Sequence, residues 1–233
     1  MRLAFTILLV CFVLASGSSP RADTASRPST AEQALILLKE GNERFVEGRP
    51  TNNHTSKDWR TGLTAGQNPF ATILSCSDSR VPTELVFDRG FGDLFVIRNA
   101  GNVAGKDVLA SIEYAGKHLG VRLNVVMGHE QCGAVTAALG SAEERSQEPP
   151  EVRNILQQID HSLSSAELPE DPALRVSAGV EANVRSVVEL LQEGLANRKP
   201  DGWEDIRFVG AVYELSTGRI RFLEESPVPK TEK

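Results

Sequence analysis

The sequence has few of the features that mark nucleic-acid or nucleotide binding. No run of Lys or Arg and no basic stripe is present, and 31 acidic residues outnumber 25 basic ones, giving a net charge of −6. An acidic balance without a basic patch argues against nucleic acid as a partner. No GxGxxG motif follows a predicted strand, and no phosphate-cradling loop is found. We therefore expect neither nucleic acid nor a nucleotide among the ligands.

Long apolar runs are also scarce, and the one that exists lies at the N-terminus, from Leu3 to Leu14. Arg2 precedes it and small residues follow at 15–19, an order that predicts a secretory signal peptide cleaved after Gly17 or a few residues later. A retained membrane anchor is the alternative, but the run is shorter than the ~20 residues of a spanning helix. We expect an exported protein, periplasmic or secreted, with no membrane attachment after cleavage.

Length and composition predict one folded domain with short appendages. The 233 residues are 40% hydrophobic and 24% charged, an ordinary globular composition with enough apolar residues for a core. We divide the chain into a signal peptide with the start of a linker (1–22), the rest of the linker (23–29), the domain itself (30–226) and a C-terminal tail (227–233).

Short apolar runs alternate with helical patterns through the centre of the chain. The predicted order is strand 70–75, strand 93–98, helix 106–119, strand 122–127, helix 151–161, helix 172–197 and a hairpin of 206–213 with 219–223. Strand–helix alternation predicts an α/β fold with a mostly parallel central sheet flanked by helices. The polar segment 141–150 is predicted to be a surface loop.

An N-terminal helix is predicted to begin at Thr30, where Gln33 completes a capping box, and to end before Gly48. One face of this helix would be apolar, formed by Ala34, Leu35, Leu38 and Phe45.

Cysteine is rare, with three residues in the chain. Signal cleavage would remove Cys11 and leave Cys76 and Cys132 in a compartment where disulfides form, so one structural disulfide is an open alternative. However, Cys76 ends the first predicted strand, His129 ends the third, and Cys132 follows at i+3. The carboxyl ends of parallel strands usually build the site of an α/β protein. Two thiolates and an imidazole suit zinc, and three protein ligands leave a fourth position open, so we predict one catalytic zinc per chain.

Asp78 and Arg80 lie two and four residues beyond Cys76. Beside a metal, an Asp can bind the ion or accept a hydrogen bond from a hydroxide on it. An Arg within reach keeps that carboxylate ionised and can hold it away from the ion. The alternative is a salt bridge that only stabilises a strand end. Next to two candidate metal ligands, we interpret Asp78 and Arg80 as catalytic.

Two segments carry a resemblance to a known family. Cys-Ser-Asp-Ser-Arg-Val-Pro at 76–82 and Gly-His-Glu-Gln-Cys-Gly-Ala-Val at 128–135 resemble the two signature segments of the β-class carbonic anhydrases. Other segments with counterparts in the family are 40–45, 87–95, 98–102, 111–115, 180–184 and 209–213. The resemblance implies a mostly parallel sheet flanked by helices. It also implies an N-terminal helix that packs on a neighbouring subunit, in a homodimer or a tetramer.

The resemblance also implies a reaction and roles for individual residues. The three cysteine and histidine candidates would bind zinc, and Asp78 with Arg80 would form the catalytic dyad. Gln67, nine residues before the first cysteine, is similar to a substrate-binding glutamine contributed across the dimer interface. Gly133 is similar to a small residue beside the substrate pocket. The implied reaction is the reversible hydration of carbon dioxide to bicarbonate and a proton, by attack of zinc-bound hydroxide on CO₂.

Two further functions stay open from the sequence. Relatives on the same fold hydrolyse carbonyl sulfide or carbon disulfide, and ligand motifs do not distinguish these substrates from CO₂. A non-catalytic zinc-binding or disulfide-bonded protein is the other alternative, against which the intact Asp78 and Arg80 argue. Some bicarbonate-inhibited members carry Trp three residues before the first cysteine, where this chain has Ile73. An inhibitory bicarbonate site of that kind is therefore not expected.

Overall fold

A computed structural model describes residues 27–196 and 205–223 of the chain. The predicted signal peptide, most of the predicted linker and the C-terminal tail lie outside the described residues. None of the helices in this described part combines the length and the apolar character needed to cross a bilayer.

A five-stranded sheet occupies the centre, in the order β2-β1-β3-β4-β5. Its strands are β1 (Ala71–Cys76), β2 (Leu94–Asn99), β3 (Leu123–His129), β4 (Arg207–Tyr213) and β5 (Ile220–Phe222). The first four are parallel, and β5 pairs antiparallel with β4 as the predicted hairpin. The prediction of a mostly parallel sheet is thereby confirmed. Its central strands β1 and β3 are buried along their whole length, as expected for strands covered on both faces.

Helices cover both faces of this sheet. The helices of the described residues are α1 (Ala31–Val46), α2 (Lys57–Gly62), α3 (Thr83–Val86), α4 (Lys106–Leu119), α5 (Gly133–Ala138), α6 (Ala142–Ser146), α7 (Pro150–Leu163) and α8 (Pro172–Ala196). Helices α1 and α3 pack on one face, whereas α4, α5, α7 and α8 form the core of the other. Short 3-10 turns follow α2 and β2, at Leu63–Ala65 and Ala100–Asn102.

Helix α1 begins where its cap predicts, with one difference. The Thr30 hydroxyl accepts a hydrogen bond from the Gln33 amide at 3.2 Å. The Gln33 side chain, however, accepts from the amide and hydroxyl of Ser29 rather than from Thr30, so the cap extends one residue upstream. Three of the four predicted face residues are buried, and Phe45 is only partly so.

The prediction that 141–150 is a loop is wrong, because helix α6 lies within it. Ser141 and Glu144 form a complete capping box, in which each side chain binds the other residue's backbone amide. Such a box satisfies two backbone donors locally and stabilises even a single exposed turn. Pro150, predicted to end the loop, is instead the first residue of α7, a position where its missing N–H costs nothing.

Helix α8 lies close against the sheet because two strand residues have no side chain. A Cβ on Gly128 would lie 2.7 Å from Cγ2 of Val184, and a Cβ on Gly210 would lie 2.9 Å from Cγ1 of the same residue. Real Cβ atoms do not approach carbon so closely, so α8 can keep this position only over glycine.

Gly210→Ala is therefore expected to destabilise the protein by about 1–3 kcal/mol, the usual cost of overpacking a core. Gly62→Ala is the matched control. Gly62 has helical φ and ψ, and its Cβ would meet no described atom within 4 Å. There the change should stabilise by about 0.4–1 kcal/mol, by restricting the unfolded chain. Urea unfolding measures both, and equal stability of Gly210→Ala and wild type would show that α8 shifts without cost.

Candidate metal centre

Three metal-ligating side chains meet at the carboxyl edge of the sheet. Cys76 is the last residue of β1, His129 is the last residue of the neighbouring β3, and Cys132 directly precedes α5. All three are buried, and their ligand atoms lie within 4.8 Å of one another. The parallel register explains this convergence, since adjacent strands end side by side.

A tight turn brings Cys132 back towards His129. Gln131 adopts a left-handed backbone conformation with φ of +53°, which is uncommon for a residue with a side chain. The amide of Glu130 donates to the carbonyl of Tyr213 at 3.0 Å, and its carboxylate accepts from the amide of Leu215 at 2.9 Å. The turn is thus fixed to β4 and to the hairpin that follows it.

The His129 imidazole presents one nitrogen to the centre. Its Nδ1 donates to the carbonyl of Glu130 at 2.8 Å, which leaves Nε2 as the lone-pair nitrogen. Nε2 is buried and has no hydrogen-bond partner among the described residues. A buried polar atom without a partner is costly, and a metal ion at Nε2 would remove that cost. The orphaned nitrogen and two sulfurs therefore fit a metal of zinc's preferences.

The two thiols beside this nitrogen are free, so the alternative of a structural disulfide is not formed in this structure. The pKa of Cys76 is lowered to about 4, chiefly because the Cys132 thiol donates a hydrogen bond to it, with the Gly101 amide adding. The pKa of Cys132 is raised, because its proton is held by the Cys76 sulfur. The hydrogen bond from Cys132 thus favours the thiolate of Cys76, and a thiolate is the form that binds metal.

Asp78 and Arg80 form a close ion pair beside the three ligands. Arg80 donates from Nε to Oδ1 of Asp78 at 2.9 Å and from Nη2 to Oδ2 at 2.7 Å. This pairing holds the pKa of Asp78 well below its usual range and raises that of Arg80. Oδ2 of Asp78 lies 3.8 Å from Nε2 of His129. The carboxylate therefore faces the centre while Arg80 holds it.

Arg98 supports the loop that runs from Cys76 to Asp78, although the sequence alone assigns this arginine no role. Its Nε donates to the carbonyl of Cys76 at 3.0 Å, and its Nη2 donates to the carbonyl of Asp78 at 2.7 Å. Arg98 belongs to a segment already matched to the family, 98–102, but nothing local in the sequence shows which carbonyls it binds. The first ligand and the carboxylate are thus fixed through one guanidinium.

The two remaining candidates differ in where they lie. Gly133 is the first residue of α5, next to Cys132, and a Cβ there would meet no described atom within 4 Å, so the space beside the last ligand is open. Gln67 is exposed and precedes β1, at the opposite edge of the sheet from Cys76. A six-residue strand spans about 20 Å, so Gln67 does not approach the metal centre of its own chain.

Comparisons with known proteins agree on one family. The family model described as "Carbonic anhydrase" matches residues 71–220. Carbonic anhydrase 2 of Mycobacterium tuberculosis is 42% identical over 189 residues, which cover 80% of this chain and 89% of that protein. The carbonic anhydrase of Mycolicibacterium smegmatis is 39% identical over 201 residues, covering 84% and 93%. The crystal structure of a β-carbonic anhydrase from Aspergillus fumigatus superposes with a TM-score of 0.60 at 26% identity, covering 84% and 92%.

Proposed function

The chain belongs to the β-carbonic anhydrase family, and we propose that it hydrates carbon dioxide reversibly to bicarbonate and a proton at a zinc ion held by Cys76, His129 and Cys132. The observation that carries this proposal is the buried, unpartnered Nε2 of His129 facing two free thiols. Two sulfurs and one nitrogen suit zinc, and three ligands leave one position open for chemistry. Zinc, when bound, would lower the pKa of a water molecule and so supply hydroxide near neutral pH.

The choice of two thiolates and one imidazole as ligands affects how the hydration rate should depend on pH. Two thiolates neutralise more of a dication's charge than neutral imidazoles would, so acidification of water at this centre is weaker than at an all-histidine site. We therefore expect activity to be favoured by alkaline pH. A pH–rate profile measures this directly.

Asp78 would accept a hydrogen bond from the attacking oxygen and so direct its lone pair towards CO₂. Arg80 binds both carboxylate oxygens, which fixes the rotamer of Asp78 and keeps it ionised. The same contacts would disfavour movement of Asp78 onto a bound metal, and the candidate ligand group contains no carboxylate among the described residues. A carboxylate that swung onto the metal would close the site, so Arg80 favours the open form.

We propose that Gln67 acts in the site of a neighbouring subunit, where it would hydrogen-bond the forming bicarbonate. Its exposure and its place at the far edge of the sheet support this, because its own centre is out of reach. Packing of α1 on a neighbouring subunit belongs to the same proposal, and Ile36 on that helix leaves 45% of its surface exposed. The assembly would be a homodimer or a tetramer.

We further propose that the enzyme is exported, on the basis of the N-terminal sequence. Export would place Cys76 and Cys132 in an oxidising compartment, where free thiols are at risk. A bound zinc would protect them, since a thiolate engaged by metal is not available for exchange.

The decisive experiment combines zinc analysis of the purified mature protein with stopped-flow CO₂ hydration. We expect about one zinc per chain and hydration above the buffer rate. Zinc without hydration at alkaline pH would contradict the CO₂ assignment. The same preparation would then be assayed with carbonyl sulfide and carbon disulfide. Absence of zinc together with a Cys76–Cys132 disulfide would contradict catalysis altogether.

A further inference from the structure

The sulfur of Cys76 receives a backbone hydrogen bond from a neighbouring loop. The Gly101 amide donates to Cys76 Sγ at 3.4 Å. Gly101 lies in the 3-10 turn after β2 with φ of +70°, and a Cβ there would lie 2.7 Å from Cδ1 of Ile159. The left-handed backbone favours glycine at this position, and a side chain there would also press on Ile159. The donor is therefore presented to the sulfur by a loop with little freedom.

A buried side chain from α8 holds the same glycine. Asn183 is 1% exposed, and its Nδ2 donates to the Gly101 carbonyl at 2.9 Å, although the two residues are 82 positions apart. Its Oδ1 has no hydrogen-bond partner among the described residues. The bond to Gly101 is thus the one side-chain hydrogen bond that the described structure gives Asn183. Burying an asparagine for a single hydrogen bond costs stability. The bond to Gly101 therefore calls for an explanation other than stability.

We propose that Asn183 is a positioning residue for Cys76, acting through Gly101. Its amide fixes the Gly101 residue so that the N–H stays aimed at the sulfur. A hydrogen bond to a metal-bound thiolate orients the ligand and withdraws electron density from it, and such supporting contacts are worth about 10- to 100-fold in metal affinity. This inference rests on the proposed metal centre, since it assigns Asn183 a role towards one of its ligands.

The chain contains a matched control on the other face of the sheet. Asn42 of α1 is 4% exposed, and its Nδ2 donates to the carbonyls of Val86 and Gly218 at 3.0 and 2.8 Å. It therefore resembles Asn183 as a buried helical asparagine whose side-chain amide holds backbone carbonyls. None of its hydrogen bonds reaches a residue of the metal centre. A merely structural role predicts the same behaviour for both residues.

The test uses Asn183→Ala, the near-isosteric Asn183→Leu and the control Asn42→Ala, each loaded with Co²⁺ in place of zinc. We expect the Asn183 variants to bind Co²⁺ about 10- to 100-fold more weakly than wild type. Their thiolate-to-cobalt charge-transfer band should move to longer wavelength, because a sulfur without its N–H donor holds its electrons less tightly. Asn42→Ala should unfold at lower urea concentration yet keep the wild-type affinity and band.

The outcomes separate this inference from the proposed function. Unchanged Co²⁺ affinity and an unchanged band in a folded Asn183 variant would overturn the positioning role while leaving the enzyme assignment intact. Changes of equal size in the Asn42 variant would overturn it as well, because they would reflect stability alone. A wild-type protein that binds Co²⁺ through thiolates but does not hydrate CO₂ would contradict the function, with the comparison of variants still decisive for Asn183. Failure of the wild type to bind Co²⁺ would overturn both.

Discussion

Replacing His129 by Ala is expected to abolish metal retention and, with it, CO₂ hydration. Its imidazole supplies the one nitrogen of the ligand group, and Nε2 is already aimed at the two sulfurs by the Nδ1 contact with Glu130. Two thiols alone do not complete a tetrahedral site, and removal of the ring leaves a cavity beside them. The hydration rate should fall to that of buffer, a loss of about 10⁶-fold for an enzyme at the lower end of the usual accelerations.

The measurement is zinc content after dialysis against a chelator, followed by stopped-flow hydration. His161→Ala is the control, because His161 is exposed on α7 and should leave zinc and rate unchanged. Circular dichroism would show that the His129 variant is folded. Full zinc content in that variant would place the ion elsewhere and overturn the ligand assignment.

The sheet and its helices were predictable because their patterns are local. The predicted strand 70–75 lies within one residue of β1, since a buried parallel strand is a continuous apolar run. Helix α4 matches its predicted bounds, 106–119, and ends at the left-handed Gly120. Polar composition predicts a loop at 141–150 and so misses helix α6, although Ser141 and Glu144 have the spacing of a capping box.

Only the residue types of the site and their positions at strand ends could be predicted from the sequence. Ligand candidates at the ends of β1 and β3 follow from sheet geometry. Contacts between distant segments do not follow from local pattern. Arg98 on the carbonyls of the first ligand loop and Asn183 on Gly101 each depend on how separate elements pack. The role proposed for Gln67 would depend on a second chain, so no property of one subunit could supply it.

Replacing Asp78 by Asn is expected to leave zinc in place and lower kcat by about 10²- to 10³-fold, the usual loss when one preorganised polar partner of a transition state is removed. Zinc should be retained because the carboxylate, 3.8 Å from His129 Nε2, is not one of the three ligands. The amide keeps the shape of Asp78 but is a weaker acceptor and lacks its charge, so the attacking oxygen is less well directed.

The depressed pKa of Asp78 fixes how this loss should depend on pH. Because Arg80 keeps the pKa of Asp78 well below its usual range, the wild-type carboxylate is ionised wherever the enzyme works. The loss in Asp78→Asn should therefore appear at every pH at which the wild type is active, rather than only above a carboxyl titration. Asp160→Asn is the matched control. Asp160 is an exposed residue of α7 that pairs with Arg145 of α6, and removing its charge should change neither zinc content nor kcat. Wild-type turnover in zinc-loaded Asp78→Asn would remove Asp78 from the mechanism and leave its bond with Arg80 as a structural contact at a strand end.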